Sequence, residues 1–246
     1  LVRSRGLGDV YKRQGPRLFN IFASMKGKRV DIYRVPGVGQ IKRNDILVFN
    51  YPHPYSWERI EMHIMQYYIK RCLGLPGDSI RIEQGFYRNN HTKEPLGNVE
   101  SQANLSRQKA DRMPDGVYRC FPFDSTFNWN VHDFGPLYIP RKGDRITVNQ
   151  TNYKLYKQMI EWESKDSLSW KDSKVYIGDK QVRQYQFQSN YYFVAGDKTE
   201  NSRDSRYLGL IPEEFIVGVA WKVWKSVDPY TGEYRKGRFW KNIRNN

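Results

Sequence analysis

Hydrophobic positions along this chain recur mostly with the period of two that is typical of β-strands. Short segments rich in β-branched and aromatic residues are separated by Gly, Pro, Asn and Asp residues. Turn sequences bound these segments: PGD at 76–78, RKGD at 141–144 and IGDK at 177–180. KGD and GDK each indicate a tight turn before or between strands. The pattern predicts strands within residues 45–52, 67–75, 79–89, 144–149, 173–182, 185–196 and 215–224.

One segment has the 3.6-residue period of an amphipathic helix. The sequence TNYKLYKQMIEWES, residues 151–164, brings five apolar side chains near one face, with Thr151 or Asn152 as the predicted N-cap. The apolar side chains are Tyr153, Tyr156, Met159, Ile160 and Trp162. A further helical turn is expected around residues 17–25. The predicted fold class is therefore mainly β with one clear helix.

The apolar strands predict a β core in two pieces, residues 15–84 and 185–226. Residues 85–184 are interpreted as a β-rich insertion that contains the predicted helix. Within the insertion, residues 90–135 are polar and short of aliphatic side chains, which favours a surface excursion. Residues 227–246 are interpreted as a basic, aromatic C-terminal tail.

The first fourteen residues, LVRSRGLGDVYKRQ, have no apolar periodicity. Part of this segment resembles a translated sequencing-adapter remnant, and a natural basic tail is the alternative. A foreign segment is left out of fold reasoning. No apolar run of the chain approaches the ~18 residues needed to span a bilayer. With a foreign start, we expect the natural N-terminus, and a membrane span within it, to be missing from this sequence.

Composition and charge narrow the classes of function. The 246 residues are 39% hydrophobic and 15% aromatic, enough for a core, and the net charge is +15. Such a charge favours nucleic acid or an anionic membrane as a partner, with an ordinary basic surface as the alternative. Cys72 and Cys120 are too few for a disulfide framework or a four-cysteine zinc site. One disulfide and two free buried thiols are both compatible with the sequence.

Lys70 lies inside an apolar strand segment, YYIKRCLGL. Adjacent strand residues point to opposite faces, so Lys70 and Arg71 lie on different sides. A lysine on the buried side loses hydration, which favours the neutral amine and makes it a possible general base. The alternative is a lysine that extends to the edge of the strand and reaches water.

A second polar segment, GDKTENSRDSRYLG at 196–209, lies between two apolar segments. Asp204 and Arg206 flank Ser205 and are on the same side of an extended chain, so they can pair. Ser202 can donate or accept a hydrogen bond. Taken alone, this segment is compatible with either a polar loop or a site.

Together, these motifs resemble the bacterial type I signal peptidase family. YIKRCLGLPGD at 68–78 and GDKTENSRDSRYLG resemble two family motifs. IKRNDILVFNYP at 41–52 resembles an earlier one, with Asn44 where Gly is usual. The motifs occur in the family's order and cover both pieces of the predicted core. The resemblance implies a signal-peptidase-like core of antiparallel β-sheets.

The resemblance also implies a Ser–Lys dyad. Lys70 is implied as the general base and Ser202 as the residue that orients its amine. The implied structural support consists of Asp204, Arg206, Gly196 and Asp197, and the implied substrate-binding strand edge consists of Tyr67, Tyr68 and Ile69. Lys198, Thr199 and Glu200 replace commoner family residues, at positions expected to be exposed on the loop.

The family's attacking serine lies in an S-M-x-P-T segment that this chain does not match. Its single Ser-Met, Ser24-Met25, is not followed by Pro-Thr. We expect the nucleophile and the oxyanion donors around it to lie upstream of this sequence, with Ser24 as the less favoured candidate. The polypeptide as printed is therefore expected to be inactive.

Partners and location follow from the same resemblance. The implied substrates are exported preproteins whose signal peptides end in small residues, the A-x-A pattern. The implied location is the outer, periplasmic side of the bacterial inner membrane. No metal, cofactor or nucleic acid is expected. Trp221, Trp224, Phe239 and Trp240 are candidates for contact with an anionic membrane surface, with core positions for the first two as the alternative.

Two other functions are compatible with the motifs. A catalytically inactive homologue would bind signal peptides without cutting them, and an upstream S-M-x-P-T segment would argue against it. A soluble, self-cleaving repressor-type Ser–Lys peptidase would use the positive charge for DNA. The chain contains no recognisable helix-turn-helix pattern, which disfavours this second alternative.

Overall fold

The computed structural model describes residues 39–63, 66–228 and 230–243. Ser24 and the segments 1–14 and 17–25 lie outside these residues. The strands are β1 Ile46–Asn50, β2 Tyr67–Gly74, β3 Ser79–Glu83, β4 Phe86–Asn89, β5 Phe134–Tyr138, β6 Arg145–Thr147, β7 Leu168–Lys171, β8 Lys174–Ile177, β9 Lys180–Val182, β10 Gln184–Gln186, β11 Tyr191–Ala195, β12 Ile211–Pro212, β13 Ile216–Ala220, β14 Lys222–Val223 and β15 Lys241–Asn242. The helices are α1 Val99–Ser106, α2 Asp115–Tyr118, α3 Gln150–Ser164 and α4 Ser205–Leu208.

Among the residues that the structure describes, the central sheet has five antiparallel strands in the order β12-β11-β2-β1-β13. All five come from the two predicted core pieces, although they are distant in sequence. The described part of the chain also contains four smaller sheets, with the orders β4-β3-β5, β6-β10, β7-β8-β9 and β14-β15. The predicted class, mainly β with antiparallel sheets, is confirmed.

Two of the predicted strands are hairpins rather than single strands. Residues 79–89 divide into β3 and β4 at Gln84 and Gly85, both with positive φ. Residues 173–182 divide into β8 and β9 at the predicted turn sequence IGDK, 177–180, where Gly178 has a φ of +55°. In both cases the left-handed backbone ends one strand and reverses the chain.

Helix α3 confirms the predicted amphipathic helix. Its N-cap is Asn149 rather than Thr151 or Asn152, because the Asn149 side chain accepts a hydrogen bond of 2.8 Å from the Asn152 N–H. Its buried side chains are Leu155, Tyr156, Met159 and Ile160. Two shorter helices, α1 and α2, accompany it within residues 85–184. Segments this short leave no clear helical period in the sequence.

The prediction of a surface excursion at residues 90–135 is wrong. Leu96, Leu105 and Val131 are each at most 3% exposed and belong to the same apolar core as the central sheet. The segment contains few aliphatic residues, but these three are buried in that core. Cys72 and Cys120 are both free and buried. None of the helices described is long and apolar enough to cross a membrane.

Candidate active site

Lys70 and Ser202 meet at the face of β2 that is directed into the core. Lys70 is opposite Leu47 of β1 and is only 6% exposed. Its Nζ donates a hydrogen bond of 3.0 Å to Ser202 Oγ, from a position 132 residues earlier in the chain. The strand's alternation turns Arg71 to the other side. The structure thus brings together a buried amine and a hydroxyl from two separate motifs.

Gly196 allows this approach because it has no side chain. It directly follows β11, whose Ala195 is paired with Arg71 of β2. A Cβ atom on Gly196 would lie 2.1 Å from Ser202 Oγ, 2.6 Å from Ser202 Cβ and 3.4 Å from Lys70 Nζ. The glycine is therefore required by close contact with the Lys70–Ser202 pair.

Asp204 and Arg206 form a buried ion pair behind the loop. The Arg206 Nε and Nη2 each donate to Asp204 at 2.9 Å, and both side chains are at most 1% exposed. Asp204 also accepts from the Gly196 N–H at 3.0 Å, and Arg206 Nη2 donates to the Thr199 carbonyl at 2.7 Å. Burial alone would raise the pKa of Asp204, but the Arg206 charge and these hydrogen bonds outweigh it and lower the pKa. The pair fixes the loop that carries Ser202.

Arg71 and Asp197 connect the loop to the strand on its other side. The guanidinium of Arg71 binds both carboxylate oxygens of Asp197 at 2.7 Å and the Asn44 carbonyl at 2.9 Å. Asn44 has φ of +67°, a conformation that favours Gly and is tolerated by Asn. This explains how Asn44 can stand where the family usually has Gly.

At the strand edge Tyr67–Ile69, the accessible feature is the unpaired backbone more than the side chains. On one side, β1 pairs with residues 67–71 of β2. On the other side, β11 pairs with Arg71, Cys72 and Gly74. In the described part of the chain, residues 67–69 therefore have no strand partner on the β11 side. Tyr68 itself is 5% exposed and packs against the Tyr51 ring at 4.8 Å, whereas Ile69 is 38% exposed.

The prediction that residues 198–200 are exposed loop positions is wrong for Thr199. This residue is 3% exposed, and its N–H donates to Ser101 Oγ of α1 at 2.7 Å. The Ser101 hydroxyl in turn donates to Glu200. Thr199 and Glu200, which replace the family's commoner residues, thus contact the insertion through Ser101 of α1. Helix α1 therefore supports the loop.

Arg203 is a site residue that sequence reasoning missed. It follows Ser202 directly, and its positive charge acts on the Tyr51 and Tyr68 hydroxyls. Burial raises the pKa of both tyrosines, and Arg203 opposes this effect. Its guanidinium also lies 5.2 Å from the centre of the Trp57 ring. Its position between Ser202 and Asp204 was the available signal in the sequence.

The cysteines are poor candidates for a nucleophile. Cys72 and Cys120 are buried, and burial raises the pKa of the Cys120 thiol to about 12. Burial likewise raises the pKa of Cys72. A thiol, rather than the nucleophilic thiolate, is therefore the form at neutral pH. Neither cysteine is therefore activated as a nucleophile.

Comparison with known proteins identifies the family. The family model described as "Signal peptidase, peptidase S26" matches residues 21–224. The chain belongs to this signal peptidase family. The matched region includes every site residue named above, and it ends before the C-terminal tail at residues 227–246 begins. Residues 225–246 are therefore additional to the part of the chain that defines membership of the signal peptidase family.

Individual signal peptidases resemble the chain at moderate identity. Signal peptidase I of Buchnera aphidicola subsp. Acyrthosiphon pisum is 29% identical over 202 residues, covering 79% of this chain and 57% of the relative. Signal peptidase I of Pseudomonas aeruginosa is 27% identical over 203 residues, covering 78% and 52%. The chain thus spans little more than half the length of these relatives. A solved signal peptidase I from Enterococcus faecalis V583 overlaps 75% of this chain and 99% of its own, at 17% identity and a TM-score of 0.35.

Proposed function

We propose that this chain carries the general base of a Ser–Lys active site, Lys70, and the serine that orients it, Ser202. The proposed enzyme is a signal peptidase I, an endopeptidase that removes signal peptides from exported preproteins after small residues. The hydrogen bond of 3.0 Å between Lys70 Nζ and Ser202 Oγ, in a buried setting, carries the proposal. Family membership supports the reaction class, because the matching model describes signal peptidases.

In the proposed mechanism, the neutral Lys70 amine is the general base. It takes the proton of an attacking serine as that oxygen adds to the scissile carbonyl, and the resulting ammonium protonates the leaving amine. Water, deprotonated by the same amine, then hydrolyses the acyl-enzyme and releases the signal peptide. Ser202 holds the amine in position, while Asp204 and Arg206 keep the loop in place.

The attacking serine is a separate part of the proposal. Motif comparison favours a serine upstream of the printed sequence over Ser24, which lies outside the described residues. In the proposed arrangement the signal peptide pairs with the β2 edge at Tyr67–Ile69. Among the described residues, no strand pairs with this edge on the β11 side, so its backbone groups can accept an added strand. The proposed location is the periplasmic side of the bacterial inner membrane.

The test uses the full-length enzyme with a preprotein substrate. Lys70→Ala should lower the cleavage rate at least about a hundredfold, the usual contribution of a general base. Ser202→Ala should lower it less, because the amine remains but is less well oriented. Ser24→Ala should leave the rate unchanged. Lys93→Ala, which removes an exposed lysine, is the control.

The outcomes separate the alternatives. Normal cleavage by a folded Lys70→Ala enzyme would contradict the Ser–Lys mechanism. A wild-type protein that binds a signal peptide but never cleaves it would instead support the inactive binding homologue. Cleavage of the chain itself, without cleavage of preproteins, would support the repressor-type peptidase.

A further inference from the structure

A groove of about 840 Å³ begins beside the proposed catalytic pair. Ser202 and Arg203 line it next to the Lys70 amine, and Trp57, Val117 and Phe123 contribute apolar walls. Ligand sites in proteins commonly have volumes of about 300–1,000 Å³. The groove is therefore large enough for several side chains and is continuous with the site of reaction.

The walls of the groove are attached directly to α4, which follows Ser202 in the chain, and to α3. The Phe121 N–H donates to the Arg206 carbonyl at 2.7 Å, and the Tyr207 hydroxyl donates to the Val117 carbonyl at 2.6 Å. On the opposite wall, Gln158 Nε2 of α3 donates to the Trp57 carbonyl at 2.7 Å. These bonds fix the walls relative to Ser202, so the groove is a preformed feature.

Three large apolar side chains are exposed around this groove. Trp57 is 46% exposed, Val117 38% and Phe123 53%. Phe123 also has φ of +60°, a strained conformation for a residue with a bulky side chain. Exposed apolar side chains clustered at one concave surface, one of them on a strained backbone, are typical of a binding site.

Charged side chains complete the lining of the groove. They are Glu58, Lys154, Lys157, Glu200 and Arg203. A groove of this size does not select the small side chains that end a signal peptide, and its charges do not suit an uninterrupted apolar segment. The mixture of apolar walls and both signs of charge suits a polypeptide of varied sequence.

We infer that this groove binds the first residues of the mature protein, downstream of the scissile bond, as an extended peptide. The inference rests on the proposed function, which supplies a substrate chain on both sides of the reacting bond. The signal-peptide side pairs with the β2 edge, and the mature side continues past Ser202 into the groove. Val117, Phe123, Lys154 and Lys157 all come from residues 85–184, so substrate binding is a role for the insertion.

The first experiment compares two substrates with the same signal peptide and full-length enzyme. One has a mature segment of about ten residues, about 33 Å when extended, and the other stops about two residues after the cleavage site. Phe123→Ala should lower kcat/KM for the longer substrate about thirtyfold, the loss at which an interface residue counts as a hot spot. The same variant should leave kcat/KM for the shorter substrate unchanged. Val117→Asn should act in the same way.

The control variant is Val99→Asn, which changes an exposed valine at the start of α1, away from the groove lining. It should affect neither substrate. Equal kcat/KM values for the two substrates in wild type, together with no selective effect of Phe123→Ala, would overturn the groove assignment while leaving the proposed reaction intact. Failure of wild type to cleave either substrate would overturn the proposed function itself, and the groove assignment with it.

A second experiment locates the mature segment directly. A photoreactive phenylalanine analogue at about the fourth mature residue, about 13 Å along an extended chain, should cross-link to the groove. Lys70→Ala enzyme keeps the substrate uncleaved during irradiation. Cross-links to residues of the groove walls support the assignment, whereas cross-links confined to other surfaces, or none, overturn it.

Discussion

At the scale of single residues, the candidate site depends on two side chains that are 132 residues apart. The strand pattern alone predicts that the side chains of Lys70 and Arg71 point to opposite faces, because neighbouring strand residues alternate. It could not decide whether Lys70 was buried or reached water. The structure buries Lys70 and supplies Ser202 as a partner, through a loop that passes close to β2 only because residue 196 is glycine.

Gly196→Ala is predicted to impair catalysis by displacing Ser202. The added Cβ would lie 2.6 Å from Ser202 Cβ, so the loop has to shift and the hydrogen bond to Lys70 is lost. Misplacement of about 1 Å near reacting groups can cost about a hundredfold, and we expect a loss of that size in preprotein cleavage by the full-length enzyme. The matched control is Gly218→Ala, because nothing lies within 4 Å of an added Cβ there. Equal rates for the two variants would contradict the steric argument.

Asp204 is predicted to make stability sensitive to acid. Its pKa in the folded state is lowered, so its contribution is fully present above the unfolded value of about 3.9 and is lost as the pH falls through the folded value. Urea unfolding from pH 7 to pH 3 should show this decline. Asp204→Asn leaves Arg206 buried without a counter-charge and should lower stability at pH 7 by about 3–5 kcal/mol. Its stability should also depend less on pH than that of wild type, and an identical dependence would contradict the assignment.

At the scale of elements, the sequence predicted long and regular helices and strands better than short ones. Helix α3 has fifteen residues and an apolar face, so its period was visible in the sequence. Helix α1 has eight residues and depends on its Asn98 cap and on contacts with the loop that carries Ser202. The hairpin β3–β4 appeared as one strand, because a turn at Gln84 lacks the usual turn sequence. Short elements are decided by their neighbours rather than by their own composition.

Glu163 is predicted to hold α3 against the core. Its carboxylate accepts hydrogen bonds from the Tyr185 and Tyr191 hydroxyls at 2.7 and 2.9 Å, and from the Gln188 and Ser189 N–H groups at 2.9 and 3.0 Å. Glu163→Ala removes four bonds and leaves the buried Tyr191 hydroxyl unpaired. We expect a loss of at least about 3 kcal/mol in the free energy of unfolding, measured in urea.

Two further variants control this measurement. Glu163→Gln keeps one acceptor oxygen and should lose less stability than Glu163→Ala. Glu94→Ala removes an exposed carboxylate and should change stability by less than about 0.5 kcal/mol. A loss below about 1 kcal/mol for Glu163→Ala would show that these bonds do not fasten the helix.

At the scale of the whole molecule, the net charge of +15 is combined with exposed aromatic side chains near the C-terminus. Trp221 and Trp224 are 63% and 59% exposed, so they are surface residues and the alternative of core positions is wrong. Lys222 Nζ lies 4.9 Å from the Trp221 ring centre and 5.1 Å from that of Trp240. Aromatic and cationic groups side by side suit the interface of an anionic membrane.

The protein is predicted to bind anionic vesicles in preference to zwitterionic ones. Binding should weaken several-fold between low and high salt, because screening at about 1 M shortens the reach of charge to about 3 Å. The double variant Trp224→Ala/Trp240→Ala should weaken binding further, measured by vesicle co-sedimentation. Tyr55→Ala, an exposed aromatic on a different loop, is the control. Equal binding to both vesicle types at every salt concentration would contradict the membrane proposal.

The sequence by itself determined the local content of this protein: mainly strands, one long helix, and three motifs whose residue types and order resemble one family. These features depend on short-range periodicity and on side-chain chemistry, which sequence records directly. Only the tertiary structure decided that Lys70 is buried against Ser202, that Asp204 and Arg206 pair, and that residues 90–135 enter the core. It alone joined Trp57 and Phe123 into one groove. Such outcomes depend on which distant segments pack together, and chain spacing does not specify that packing.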